Sequence, residues 1–241
     1  MIKILTDSAS DIELEEAEKL GISLIPILIR FGNEEYLDGV NLSHRKFFER
    51  LIESKELPQT SQINEFAFNQ RFEELTADGS EVIAVLLSSK LSGTYASAVK
   101  AAENFKGKVK VVDSLNACIG ERVLVQYALK LAKQYSNADA IAEELNSAKG
   151  KIRLLALLDT LKYLRKGGRI SSVAAVAGEM LSIKPVVAVE RGEVKLVGKA
   201  MGSKKGNNLL TQLVDRFGGI DFSMPYALGY SGLSDEFLKK Y

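Results

Sequence analysis

The chain has 241 residues, of which 46% are hydrophobic and 26% charged, and its formal net charge is +1. These values are typical of a folded globular protein, and they exclude a general electrostatic attraction to nucleic acid or to an anionic membrane surface. The single cysteine, Cys118, excludes an internal disulfide framework, and with the single histidine, His44, it leaves too few nitrogen and sulfur ligands for a Cys/His zinc site.

The compartment follows from three further sequence features. The apolar start, 1–5, is too short before Asp7 to be the core of a signal peptide. No apolar run approaches the roughly 20 residues of a membrane span. Because a lone cysteine is also typical of a reducing compartment, we expect a soluble cytoplasmic protein without stable membrane anchoring.

The N-terminal part of the chain alternates between strand and helix patterns. Apolar runs at 3–6, 82–87 and 109–112 predict buried parallel strands, each followed by small polar residues and then by a helix. A further run, 23–31, contains Pro26, which favours an edge strand or an irregular one. This alternation predicts a parallel sheet covered on both faces, with the turns after its strands lying along one edge.

Helices are predicted between these strands from apolar spacing and from capping residues. Their expected ranges are Ser10 or Asp11 to about Leu20, Ser43 through Leu51, 65–75, from Tyr95 onward, about 120–134, and 138–148. We predict Pro58 to Gln62 as a polar loop. His44 falls in the first turn of its helix, where an exposed position is favoured over a catalytic one.

From residue 151 onward the pattern changes. The predicted elements are a strand at 152–158, a short helix from Asp159, a helix at 172–181, a hairpin of 186–190 and 193–197, an amphipathic helix at 203–216 and a strand at 226–230. We therefore predict two domains: 1–150, an α/β domain with a parallel sheet, and 151–241, an α+β domain with a largely antiparallel sheet. A helix start at 234–236 with no strand after it indicates a missing terminal segment.

Small and hydroxyl-bearing residues follow the strand at 82–87, from Ser88 to Thr94. Such a loop before a helix can bind an anion, because unpaired backbone N–H groups and hydroxyls point toward it and Gly93 permits close approach. Serine and threonine also cap helices without any ligand, so both interpretations stay open at this point.

Two aspartates, Asp7 and Asp113, follow strand ends and could share a Mg²⁺ ion for phosphoryl transfer. The simpler interpretation, which we favour, is that each carboxylate accepts hydrogen bonds from backbone N–H groups of its own turn. No G-x-S-x-G or Walker-type loop accompanies them. The basic turn around Gly167 and Gly168 carries Arg169, the residue best placed to turn inward as a phosphate or carboxylate anchor.

Together, several short motifs resemble the DegV family, the fatty-acid-binding subunits of bacterial fatty acid kinase. They occur in the family's order over nearly the whole chain: Thr6-Asp7-Ser8, Thr60-Ser61-Gln62, Leu87-Ser88-Ser89-x-Leu91-Ser92-Gly93-Thr94-Tyr95, Asp113-Ser114, Leu164-x-Lys166-Gly167-Gly168-Arg169-Ile170-Ser171 and Ile183-Lys184-Pro185. Each motif is weak alone, whereas the set is specific.

The resemblance implies two α/β domains that hold one long-chain fatty acid between them, with its chain in an apolar tunnel. It implies that Thr60 and Ser92 bind the carboxylate, and that the protein needs no cofactor and has no catalytic residue. The further ligand-binding residues that it suggests are Ser61, Gly93, Thr94, Arg169 and Ser8. A separate ATP-dependent kinase would convert the presented carboxylate to an acyl phosphate for phospholipid synthesis.

Three departures from the family pattern bear on these expectations. Ile63 stands where the family usually has proline, which affects the loop after Gln62. Met201 stands where it normally has an arginine of the kinase-facing surface, which bears on docking of the kinase. The family's last segment, a glycine-rich strand with a histidine near the carboxylate, has no counterpart here, so we expect a more open site.

Overall fold

The computed structural model of the chain describes residues 1–170, 183–236 and 238–240. The predicted helix at 172–181 lies outside the described residues. A four-stranded parallel sheet forms the centre of the N-terminal part, and its strands are β1 (Ile2–Asp7), β2 (Ile22–Ile25), β6 (Glu81–Leu86) and β7 (Val109–Asp113), in the order β2-β1-β6-β7. The predicted parallel strands are therefore confirmed.

Helices cover both faces of this sheet, since neighbouring strand residues point to opposite sides. On one face Ile4 and Ile83 pack among residues of α1 (Leu14–Leu20), α5 (Cys118–Ala132) and α6 (Ala138–Ala148). On the other face Leu5 and Ala84 pack with α3 (Glu65–Thr76) and α4 (Thr94–Ala102). Burial of both faces explains why these strands read as continuous apolar runs.

The predicted strand at 23–31 is two strands in different sheets. Pro26 lies between β2 and β3 (Leu28–Phe31), and β3 pairs antiparallel with β4 (Glu34–Leu37) and with β5 (Gln59–Ser61). The prediction of a polar loop at 58–62 was therefore wrong over three residues. A polar, exposed segment carries no apolar alternation, so only its pairing with β3 reveals the strand.

Most helix predictions are confirmed, with corrections at the ends. Ser43 caps α2 (His44–Glu53) by accepting a hydrogen bond from the Lys46 backbone N–H. The helix expected to start at Ser10 or Asp11 begins at Leu14 without a side-chain cap, because residues 8–10 form a separate 3₁₀ turn capped by Asp7. Gly21 ends it in the left-handed conformation, as predicted.

The second half contains a three-stranded antiparallel sheet, in the order β10-β9-β8. Its strands are β8 (Leu154–Leu157), β9 (Ile183–Glu190) and β10 (Glu193–Met201), and its helices are α7 (Lys162–Lys166) and α8 (Gly202–Arg216). The predicted hairpin is confirmed, and its turn residues Arg191 and Gly192 both have positive φ, as a two-residue hairpin loop requires. The predicted strand at 226–230 was wrong, because that segment is irregular.

The α/β class with one parallel sheet and separate antiparallel sheets is thus confirmed, whereas the domain boundary at residue 150 stays a prediction. At the end of the described chain only residues 238–240 form a 3₁₀ turn, in place of the helix start predicted at 234–236. No helix within the described ranges combines the length and the apolar character that crossing a membrane requires.

The hairpin of the second half contacts the first half at Ser88. The Ser88 hydroxyl donates a hydrogen bond of 2.8 Å to the Gly192 carbonyl oxygen. A Cβ atom on Gly192 would lie 2.6 Å from Ser88 Oγ and 3.2 Å from Leu115 Cδ2. The glycine therefore satisfies two constraints: it adopts φ +86°, and it leaves no atom between the hairpin and the turn after β6.

We expect Gly192→Ala to lower the free energy of unfolding more than Gly79→Ala does. Gly79 has nearly the same φ, +84°, but open space around it, so its variant reports backbone strain of about 1–2 kcal/mol alone. Overpacking against Ser88 adds about 1–3 kcal/mol at Gly192. Urea unfolding measures both, and equal losses would contradict docking of the hairpin.

Candidate functional site

Asp7 lies at the end of β1, where its buried carboxylate joins two turns. Its Oδ1 accepts a hydrogen bond from the Ala9 backbone N–H at 2.9 Å, and its Oδ2 accepts one from the Leu87 N–H at 3.0 Å. Burial raises the pKa of the Asp7 carboxyl to about 6, although both hydrogen bonds act in the opposite direction. The side chain therefore holds the ends of β1 and β6 together.

The Asp113 carboxylate likewise accepts hydrogen bonds from backbone N–H groups, at the end of β7. Its Oδ1 accepts hydrogen bonds from the backbone N–H groups of Ser89, at 3.2 Å, and Leu115, at 2.9 Å. Within the described ranges, no group of three or more His, Cys, Asp and Glu side chains could hold a metal ion. These contacts favour the interpretation in which Asp7 and Asp113 support turns over the one in which they share Mg²⁺.

Ser8 is also occupied by structural contacts. Its hydroxyl oxygen accepts a hydrogen bond of 3.0 Å from the Ile27 backbone N–H, and its hydroxyl bonds the Asp38 side chain. The residue is buried, with 6% of its surface exposed. These partners belong to the link between β2 and β3 and to the turn after β4, so the contacts of Ser8 do not place it with Ser92.

The loop from Ser88 to Thr94 is closed by hydrogen bonds within itself. The Ser88 carbonyl accepts from the N–H groups of Leu91, at 2.9 Å, and Ser92, at 3.2 Å. Ser92 Oγ accepts from the Thr94 N–H at 3.2 Å and lies 3.0 Å from Thr94 Oγ1. Thr94 is fully buried, whereas Ser92 is partly exposed, so the two hydroxyls of this pair have different access to a ligand.

The segment that carries Thr60 and Ser61 packs against the same loop. The Ile63 N–H donates a hydrogen bond of 3.2 Å to Thr94 Oγ1, and Gln62 Nε2 donates one of 3.3 Å to Ser97 Oγ. Thr60 and Ser61 are exposed on β5, opposite Ile29 and Leu28 of β3. The structure thus brings together two segments that are about 30 residues apart in sequence.

Gly93 makes this packing possible. A Cβ atom at this position would lie 1.9 Å from Gln62 Oε1, so any larger residue would displace the Gln62 side chain. The φ of Gly93 is −75°, which every residue adopts. The requirement for glycine is therefore one of space between the two segments, and sequence reasoning had attributed it to approach of a ligand.

Arg169, in the second half of the chain, makes a hydrogen bond with this loop. Its Nε donates a hydrogen bond of 3.4 Å to the carbonyl oxygen of Leu91, the residue before Ser92, and its guanidinium also bonds the Gly167 carbonyl. Its side chain is exposed. Arg169 thus contacts the backbone within the predicted anion loop, and its part as an inward-facing anchor stays a prediction.

Glu121 is a buried charged residue that the sequence analysis did not select. Its Oε1 accepts a hydrogen bond of 3.2 Å from the Thr6 hydroxyl, and its Oε2 has no partner among the described residues. Burial and the neighbouring Asp7 raise the pKa of this carboxyl well above its usual value. A sequence signal existed, because Glu121 shares the helical face of Leu124 and Val125.

Comparison with known proteins identifies the family. A family model described as uncharacterised proteins of the DegV family matches residues 1–238. The chain belongs to the DegV family. A DegV domain-containing protein of Caldanaerobacter subterraneus subsp. tengcongensis is 34% identical over 223 residues, which are 92% of this chain and 79% of that protein. One from Clostridium perfringens is 36% identical over 221 residues, 88% and 76% of the two chains.

Solved structures of DegV proteins have the same fold. A Thermus thermophilus member, described for its fatty acid binding, has a TM-score of 0.81 at 29% identity and aligns with 90% of this chain and 77% of its own. DegV of Bacillus subtilis, described as a fatty acid binding protein, has a TM-score of 0.78 at 31% identity, with 89% and 77% covered. A stearic acid-binding protein of Eubacterium ventriosum has a TM-score of 0.82 at 25% identity, with 90% and 76% covered.

These comparisons confirm the DegV resemblance and the α/β fold class. The residue assignments at Thr60 and Ser92 stay predictions, since no ligand defines them. What the DegV structure adds is their arrangement: the loop 88–94 contacts the segment of Thr60 through Ile63, and it contacts Arg169 through Leu91.

We expect Glu121→Gln to raise the free energy of unfolding at pH 8 and to change it little at pH 5. A carboxyl whose pKa is raised by folding contributes stability below its unfolded value and loses it as the pH rises, and the neutral amide avoids that loss. The gain at pH 8 should reach at least about 1 kcal/mol, or about 2–4 °C in melting temperature.

Thermal melting from pH 5 to pH 8 measures this difference. The control Glu144→Gln removes an exposed charge on α6 and should shift the melting temperature equally at every pH. A Glu121→Gln effect that does not grow with pH would show that ionising the buried carboxyl does not destabilise the fold.

Asp7 should also make the free energy of unfolding of the wild type fall as the pH rises from 4 to about 6, since folding raises the pKa of its carboxyl from 3.8 to about 6.

Proposed function

We propose that this protein binds one long-chain fatty acid and that the hydroxyls of Thr60 and Ser92 hold its carboxylate. The observation that carries the proposal is the hydrogen bond from the Ile63 N–H to Thr94 Oγ1, which joins the segment of Thr60 to the loop of Ser92. The fatty-acid-binding descriptions of solved DegV relatives support the ligand class.

Hydroxyl donors suit a carboxylate ligand. Each hydroxyl donates one hydrogen bond, and a bond to a charged group contributes about 1.5–3 kcal/mol. Burial of the acyl chain at about 0.8 kcal/mol per CH₂ group would supply most of the affinity. The head-group contacts therefore orient the ligand more than they retain it.

The remaining predicted residues differ in how close to the carboxylate we place them. Ser61 is exposed on β5 beside Thr60, and Arg169 approaches the loop from the second half at Leu91. We place both at the edge of the carboxylate site. Gly93 gives the two segments room to meet, and Ser8, whose hydroxyl is used elsewhere, belongs outside the ligand set.

We further propose that the bound carboxylate is presented to a separate ATP-dependent kinase in the cytoplasm. On that enzyme, a carboxylate oxygen attacks the γ-phosphorus of ATP, the bond to the β,γ-bridging oxygen breaks, and acyl phosphate and ADP result. Neutral hydroxyl donors support this role, because they leave more negative charge on the attacking oxygen than a bidentate arginine would. The acyl phosphate would then serve phospholipid synthesis.

We expect the wild-type protein to carry about one fatty acid per chain and Thr60→Ala/Ser92→Ala to bind it at least about tenfold more weakly, because two charge-assisted hydrogen bonds are lost. Native mass spectrometry with solvent extraction identifies the co-purified acid, and displacement of a fluorescent fatty acid measures affinity.

The matched control is Thr211→Ala/Ser147→Ala, which removes the same two hydroxyls from exposed helix positions on α8 and α6. It should bind as the wild type does. If the site variant keeps wild-type affinity, the two ligands are misassigned. If the wild type neither retains nor takes up any fatty acid, the binding function itself is wrong.

For the kinase role, we expect acyl phosphate to form only when fatty acid, ATP, this protein and a DegV-associated kinase are combined. Hydroxylamine traps the product as a hydroxamate that mass spectrometry quantifies. Hydroxamate formed by this protein and ATP without the kinase would contradict a non-catalytic role, and none with the kinase would contradict presentation.

A further inference from the structure

The hydrogen bond between Ile63 and Thr94 has only one possible donor. Its oxygen lies 3.2 Å from the Ile63 backbone nitrogen, and a backbone N–H can only donate. Thr94 Oγ1 is therefore an acceptor toward Ile63. Its own proton remains to be placed, and the residue has none of its surface exposed to solvent.

Among the described residues, the acceptor available to that proton is Ser92 Oγ, at 3.0 Å. If Ser92 donated to Thr94 instead, the proton of the fully buried Thr94 hydroxyl would have no acceptor among the described residues, which costs free energy. The arrangement in which Thr94 donates to Ser92 satisfies both hydroxyls.

Ser92 Oγ then accepts two hydrogen bonds. One comes from the Thr94 hydroxyl and the other from the Thr94 backbone N–H, at 3.2 Å. A hydroxyl oxygen has two lone pairs, so its capacity to accept is filled and its own proton points away from Thr94. A hydroxyl that accepts hydrogen bonds becomes a stronger donor through its own proton, because hydrogen bonds in a chain polarise one another.

We propose that Thr94 is a positioning residue that holds the Ser92 hydroxyl as an outward-facing donor, and that this selects a head group that only accepts hydrogen bonds, a carboxylate, over an alcohol of the same chain length. The inference rests on the proposed function, since it concerns the same site. A carboxylate gains a charge-assisted bond from Ser92, whereas an alcohol gains a neutral one and finds no acceptor at Ser92 Oγ for its own proton.

The test is a competition between hexadecanoic acid and 1-hexadecanol, supplied together at pH 8 in phosphatidylcholine vesicles. Protein is separated from the vesicles and extracted, and the ratio of bound acid to bound alcohol is measured by mass spectrometry. Loss of folding or of chain burial lowers the binding of both ligands, whereas loss of the oriented donor changes their ratio. The ratio is therefore insensitive to a general loss of folding or of chain burial, and Thr94→Ser, which keeps the acceptor for the Ile63 N–H, controls for the position of the Thr60 segment.

We expect Thr94→Val to lower the acid-to-alcohol ratio about tenfold, since Ser92 loses the hydroxyl that directs its proton. Thr94→Ser keeps that hydroxyl and should stay within about twofold of the wild type. Thr76→Val is the matched control: it removes a buried threonine hydroxyl that bonds the Phe72 carbonyl in α3, and the ratio should not change.

If Thr94→Val does not fold, Thr94→Cys replaces it, because a thiol keeps the side chain's size but donates weakly, and the ratio must again fall. An unchanged ratio in these variants, or a fall in Thr94→Ser as large as in Thr94→Val, overturns the inference. Wild-type protein that binds acid and alcohol alike also overturns it, while fatty acid binding stands. Wild-type protein that binds neither ligand refutes the proposed function itself.

Discussion

The arrangement at the edge of the parallel sheet depends on a buried carboxylate that replaces water as the partner of backbone groups. Asp7 accepts from Ala9 and Leu87, and so connects the turn after β1 to the turn after β6. Parallel strands leave unpaired N–H groups where each strand ends, and in a buried turn these must find a protein acceptor. Asp113 meets the same need at Ser89 and Leu115, one strand further along.

This use of charge has an energetic consequence at pH 7. Asp7 and Glu121 are both fully buried, and burial raises the pKa of each carboxyl. The neighbouring Asp7 raises the pKa of Glu121 further. The protein thus keeps two acidic groups in its interior, of which Asp7 connects turns and Glu121 bonds Thr6, at a cost in free energy that grows as they ionise. The loop that carries Ser92 follows β6, so the carboxylates of Asp7 and Asp113 support it through the N–H groups of Leu87 and Ser89.

The two halves of the chain meet at the same loop. Ser88 donates to the hairpin turn at Gly192, while its carbonyl accepts from Leu91 and Ser92. Arg169 donates to Leu91 from the second half. The loop that carries Ser92 therefore makes hydrogen bonds with both halves of the chain.

The sequence alone determined the local elements and the family. The parallel strands, the hairpin at Arg191 and Gly192 and most helices follow from periodicity and turn residues, and the set of short motifs identified DegV. The side-chain roles at Asp7 and Asp113 were also predicted, since each interaction with the following turn is local.

Only the tertiary structure decided which distant residues meet. The pairing of β5 with β3, the contact of Ile63 with Thr94 and the contact of Glu121 with Thr6 join residues 29 to 115 positions apart. No periodicity encodes such pairs, because they form when separate helices and strands pack on one core. The direction of the Ser92 hydroxyl belongs to this second class: its neighbour Thr94 is local, but the group that makes Thr94 a donor to Ser92 is the backbone of a remote segment.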